Sequence, residues 1–137
     1  MEKLRRASHA VYLCAYHLVW ATKYRKQVIT PELKEFLINL FKDIAEHYDF
    51  EIDTIEFGKD HVHLLVSAPP RYSPSEVVNT LKSISGKAIF KKFPKLKQQY
   101  WGGEFWIDGY FVKTVGAGLT LEMIRQYIKS QREEPLF

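Results

Sequence analysis

The run Asp60-His61-Val62-His63-Leu64-Leu65-Val66 constrains this chain more than any other segment. Side chains alternate across a strand, so Val62, Leu64 and Val66 share one face and His61 and His63 share the other. The apolar face reads as core. The chain must therefore bury one side of this strand and display two imidazoles on the opposite side. Imidazole is the commonest protein metal ligand, so the pattern raises a question of chemistry as well as one of folding.

A chain of 137 residues with a hydrophobic fraction of 46% fits one domain, spanning 1–137, with one real core. No run is long and apolar enough to cross a bilayer. The segment Ala10 to Trp20 is interrupted by Tyr16 and His17, which makes a poor signal-peptide core, so a cytoplasmic protein is expected. The single cysteine, Cys14, excludes an internal disulfide and a multi-cysteine zinc site. It reads as a small buried hydrophobe. The net charge of +4 decides little alone, whereas the aromatic fraction of 15% is high. Rings beside cations hold single-stranded nucleic acids, and rings also simply pack cores.

Residues 11–20 read as a first strand, followed by the basic loop Thr22-Lys23-Tyr24-Arg25-Lys26. Thr30-Pro31 starts a helix, with threonine as cap and proline in the first turn. Leu33, Phe36, Leu37, Leu40 and Ile44 recur at helical spacing, and Tyr48-Asp49-Phe50 ends the helix. Ile52 to Phe57 reads as a second strand, Gly58-Lys59-Asp60 as a tight turn and His61 to Ser67 as the third strand. Ser73-Pro74-Ser75-Glu76 is a capping box opening a second helix with Val77, Leu81, Ile84 and Ala88 inward, ended by Pro94. Asp108-Gly109 is a hairpin-type signal between two aromatic runs, and the fourth main strand falls at about 109–115. After Gly116-Ala117-Gly118, Thr120 can cap a last helix running through Gln131. The order predicts an α+β fold: a ferredoxin-like, RRM-like antiparallel sheet (βαββαβ) with helices on one face, plus a C-terminal helix. The two histidines point to the open face.

Two histidines do not complete a structural zinc site. His9, His17 and His47 lack matching spacing. By themselves, His61 and His63 could equally be surface-strand residues with no metal. The last helix adds Tyr127 and Gln131, four residues apart and so neighbours on one helix face. A tyrosine hydroxyl can be a covalent nucleophile and an amide oxygen can ligate a metal, although a packed ring and a solvated amide satisfy the same spacing. Taken together, two imidazoles and one amide suit a divalent ion, Mg2+ or Mn2+, with open positions for a phosphodiester that the tyrosine would attack.

At this point the residues resemble a family. His61-Val62-His63 is similar to the His-hydrophobic-His (HUH) motif. Tyr127-Ile128-Lys129-Ser130-Gln131 resembles the nucleophile helix of the single-tyrosine HUH transposases of the insertion-sequence 200/605 group. The likeness extends to Tyr16 through Arg25, to Leu81-Lys82-Ser83-Ile84-Ser85, and to Trp106 with Gly109-Tyr110-Phe111 and Thr114-Val115-Gly116. It implies a nucleoid-associated homodimer with no membrane partner. Such an enzyme binds hairpins in single-stranded DNA at transposon ends, cleaves nearby through a 5′-phosphotyrosine and rejoins the strands. By the same resemblance Tyr127 is the nucleophile, and His61, His63 and Gln131 are the metal ligands. Enzymes of this kind commonly take the tyrosine helix from the partner subunit, and the sequence leaves assembly in cis or in trans open, with Gly116-Ala117-Gly118 as a flexible lead or as an ordinary loop.

Lys23, Arg25, Lys26, Lys82, Lys87 and Lys91 are candidate DNA contacts, or a basic loop and a solvated helix face. Two other readings stand beside the transposase. One is a domesticated relative that processes palindromes in its host genome. The other is a non-catalytic nucleic-acid-binding module built on the same sheet, as in RNA-recognition domains.

Overall fold

The computed structural model describes residues 4–7, 10–100 and 103–115. Two short strands, β1 (Arg5–Ala7) and β2 (Ala10–Tyr12), pair antiparallel ahead of the main sheet. The first long strand, β3, is Ala15–Ala21. The stretch expected as one strand over 11–20 is thus divided. Its first residues leave the main sheet to pair with β1, and Arg5 anchors that hairpin. The Arg5 guanidinium donates to the carbonyls of Ser67 and Asp49, each at 3.1 Å, and lies 5.3 Å from the Tyr12 ring centre. Alternation along 11–20 carries no sign of such a long-range anchor. Cys14, beside the break, is half-buried against the core instead of fully buried.

Helix α1 (Pro31–Tyr48) begins where Thr30 accepts a hydrogen bond from the Leu33 amide at 3.2 Å, and it ends at Asp49 in the left-handed region (φ 62°). Strands β4 (Glu51–Phe57) and β5 (His61–Ser67) follow. Helix α2 (Pro74–Lys92) starts with the expected capping box: the Glu76 amide donates to Ser73 Oγ at 3.1 Å, and the Ser73 amide donates to the Glu76 carboxylate at 3.0 Å. Such a box satisfies two amides that the helix cannot. A single turn, α3 (Pro94–Lys97), follows. The last described strand, β6, is Phe111–Thr114.

The sheet order is β4-β5-β3-β6, antiparallel at every junction. This is the ferredoxin-like arrangement expected from the element order. Leu18, Trp20, Val62, Leu64 and Val66 from the covered face pack with Leu33, Leu37 and Phe41 of α1 and Val77, Leu81 and Ile89 of α2. All are nearly inaccessible to solvent. Burying this apolar area is the main source of stability.

Asp108-Gly109 is no hairpin turn. Trp106 bridges Thr22, the Ile107 amide donates to the Ala21 carbonyl at 3.0 Å, and Phe111 pairs with Val19. Both aromatic runs therefore lie along the same edge of β3, with Asp108-Gly109 bulging between them. The Lys82 ammonium supplies the reason: it donates to the carbonyls of Ile107, Asp108 and Gly109. One cation from α2 thus takes carbonyls that a strand partner would otherwise have held. Burial lowers the Lys82 pKa below the usual lysine range. Trp106 is pinned by its indole N–H, which donates to Ser85 Oγ at 2.8 Å.

Candidate active site

Pairing places His61 opposite Ala21, and His63 between Val19 on one side and Glu56 on the other. Because Val62 and Leu64 are consumed by the core, both histidines emerge on the open face, where both are half-buried. Their ring centres are 5.0 Å apart. An ion about 2.1 Å from a nitrogen of each of two imidazoles holds the ring centres roughly 5 Å apart. The pair thus has the spacing of two ligands to one ion. Among the described residues, no group of three or more His, Cys, Asp and Glu side chains is arranged to hold a metal. The expected third ligand, Gln131, the expected nucleophile, Tyr127, and the lead Gly116-Ala117-Gly118 lie outside the described residues.

Neighbouring side chains complete the arrangement. Asp60 Oδ1 lies 2.8 Å from His61 Nδ1, and Arg25 Nε donates to Asp60 Oδ2 at 3.1 Å. These two partners, the His61 hydrogen bond first, hold the Asp60 carboxyl below the usual aspartate range. Arg25 reaches it from a tight turn, Lys23–Arg25, in which Tyr24 and Arg25 both have positive φ (61° and 51°). Left-handed backbone at consecutive residues with side chains is costly, and such strain collects at functional sites. The Thr22 amide donates to the Asp60 carbonyl at 2.8 Å, tying this turn to the start of β5. On the other side, His17 Nε2 lies 3.3 Å from His63 Nδ1. Burial, and after it the neighbouring His61 and His17 rings, lower the His63 pKa. A lowered pKa favours the neutral ring, the form that ligation requires. A cavity of about 340 Å³, lined by His17, Thr54, Glu56, His63, Leu65 and Val115, opens beside it.

His17 and Asp60 are the neighbours that sequence spacing does not single out. His17 is separated from His63 by 46 positions, and only the β3–β5 register brings them together. Asp60 adjoins His61 in the chain, and its reading as a turn residue is compatible with its contact.

The basic residues divide by setting. Lys23 pairs with Glu104 at 3.0 Å, Arg25 with Asp60, and Lys26 lies 5.5 Å from the Tyr100 ring centre. Lys82 is committed to three carbonyls. Lys87 and Lys91 are exposed on α2. Lys82 and Lys87 line a groove of about 630 Å³ between α2 and residues 103–108.

A family model described as IS200-like transposase matches residues 10–131. This chain belongs to the IS200-like transposase family. Over 132 residues it is 37% identical to the ISDra2 transposase TnpA of Deinococcus radiodurans, covering 96% of this chain and 94% of that one. It is 35% identical over 127 residues to the IS200 insertion-element transposase of Salmonella typhimurium, covering 93% and 82%. A crystal structure of a Deinococcus radiodurans R1 chain assigned as a transposase superposes with a TM-score of 0.74 at 40% identity, covering 93% of this chain and 97% of that chain. A REP-associated tyrosine transposase bound to a REP hairpin shares the fold alone, with a TM-score of 0.56 at 15% identity, covering 98% and 75%. The IS200-like transposase is thus a DNA-processing enzyme of the transposition class. No described helix is long and apolar enough to cross a membrane.

Proposed function

We propose that this transposase cleaves and rejoins single-stranded DNA beside hairpins at transposon ends, with Tyr127 as nucleophile. The carrying observation is the pair of imidazoles, His61 and His63, side by side on the open sheet face at ligand spacing. Family membership over residues 10–131, a span that includes Tyr127 and Gln131, supports the rest.

The chemistry follows from the residues. The Tyr127 hydroxyl, deprotonated, would attack the scissile phosphorus. The bond from phosphorus to the 3′ oxygen breaks, and that oxygen leaves as a hydroxyl after taking a proton. The 5′-phosphotyrosine conserves the ester. Attack by a second 3′-hydroxyl then releases tyrosine and joins the strands without a nucleoside triphosphate. His61, His63 and Gln131 would hold a divalent ion, Mg2+ or Mn2+, whose chemistry is to polarise the phosphodiester and offset charge on its oxygens. Oxygen and nitrogen donors together suit these labile ions. The enzyme would work as a homodimer, each tyrosine helix completing the partner's site. The relatives at 35–37% identity are insertion-sequence transposases, which favours a transposon-borne enzyme over a domesticated one.

The deciding experiment incubates the full chain with single-stranded hairpin DNA and Mn2+ and resolves the products on a denaturing gel. A protein–DNA adduct resistant to denaturation is expected. Its loss is expected in excess chelator, and in His61→Ala or His63→Ala. Binding without any adduct would favour a non-catalytic binding module, and full cleavage in excess chelator would refute the metal.

Exposed Lys87 and Lys91 lie four apart on α2, within reach of one backbone. Replacing both by glutamine should weaken hairpin binding and reduce the slope of log K against log salt by about 0.7 for each phosphate that is no longer neutralised. A salt titration by fluorescence anisotropy reads this directly, and an unchanged slope would remove the two lysines from the DNA interface.

A further inference from the structure

In both histidines of the pair, the same ring nitrogen is already occupied. Nδ1 of His61 faces Asp60 Oδ1 at 2.8 Å, and Nδ1 of His63 faces His17 Nε2 at 3.3 Å. An ionised carboxylate accepts and cannot donate. A neutral His61 must therefore carry its proton on Nδ1 and direct a lone pair from Nε2. For His63 the same form requires that Nδ1–H donates to His17 Nε2, with the His17 proton on Nδ1. Gly58 closes the other side of His61. A Cβ built on Gly58 would fall on the imidazole, 2.6 Å from its Nδ1. The bare backbone there lets the ring lie against the turn, and the Gly58 amide donates to the His61 carbonyl at 2.9 Å.

We infer that Asp60, His17 and Gly58 are positioning residues that hold His61 and His63 as Nδ1–H tautomers, leaving Nε2 of each as the nitrogen available to a ligand. The inference deepens the proposed function and rests on its metal reading only for the identity of that ligand. Hydrogen-bond partners of this kind set the tautomer and orientation of ligating histidines. Free imidazole favours the other tautomer, so the device has work to do. Arg25, bonded to the second oxygen of Asp60, keeps that carboxylate in place.

The test is long-range proton–nitrogen NMR on the full, metal-free chain with labelled histidines, at about pH 8, where ordinary imidazoles are neutral. Both His61 and His63 should be Nδ1–H tautomers. Asp60→Ala should convert His61 and leave His63 unchanged, whereas His17→Phe should convert His63 and leave His61 unchanged. Asp60→Asn, which retains a carbonyl acceptor, should restore much of the His61 population. Gly58→Ala should displace the His61 ring and lose its tautomer preference. Melting temperatures measured alongside separate these effects from unfolding. Mn2+ affinity, read by electron paramagnetic resonance, should fall roughly 10–100-fold in Asp60→Ala and in His17→Phe. An Nε2–H tautomer at either ring in the unaltered protein would overturn the inference, as would an Asp60→Ala spectrum with His61 unchanged. The predicted tautomers together with no Mn2+ binding would uphold the positioning and overturn the metal reading instead.

Discussion

Tyr127→Phe should abolish the covalent adduct and lower strand cleavage at least roughly a thousandfold, or about 4 kcal/mol of transition-state free energy, the scale of losing a nucleophile. Phenylalanine keeps the ring and removes only the hydroxyl. Hairpin affinity should stay within about twofold, because phosphate contacts dominate such binding. End-labelled oligonucleotides on a denaturing gel measure cleavage, and a native gel measures binding. Cleavage retained above a tenth of the original rate would reject the nucleophile assignment. Loss of both binding and cleavage would point to a role for the hydroxyl in holding DNA.

The second large effect concerns the fold that presents the histidines. Trp20→Ala should cost about 3–5 kcal/mol, from a total stability of order 5–15 kcal/mol. Trp20 is 2% exposed and packs edge-to-face on Phe41, with centroids 6.2 Å apart, and on Trp106, with centroids 5.8 Å apart. Such pairs contribute beyond simple area burial. The melting temperature should fall by roughly 10–25 °C. Val19→Ala is the internal control, one residue earlier on the same strand and half-buried on the open face. It should cost about 1 kcal/mol or less. Calorimetry or urea melts decide the matter, and equal costs at the two positions would contradict the assignment of the faces.

The two faces of the sheet trace to an alternation visible in the amino-acid order. His61 to Val66 dictates a strand with one buried and one displayed face, because the two-residue period leaves no other way to bury Val62, Leu64 and Val66 together. Thr30-Pro31 and Ser73-Pro74-Ser75-Glu76 dictate helix starts, because the groups that satisfy the first amides are local. Where contacts are distant in the chain, local pattern misleads. Asp108-Gly109 has the composition of a turn, yet Lys82 holds the surrounding carbonyls and makes it a bulge. Residues 11–20 alternate like one strand, yet Arg5 draws the first of them into a separate hairpin.

The candidate site divides in the same way. The chain order by itself determines that His61 and His63 share a face, because that relation depends only on the two-residue period of a strand, and it sets Tyr127 and Gln131 four positions apart. The tertiary structure alone decides that His17 meets His63, that Arg25 braces Asp60, and that Gly58 makes room for an imidazole. Those contacts arise from strand register and a strained turn, which are settled by the packing of the whole sheet and not by any neighbouring residue.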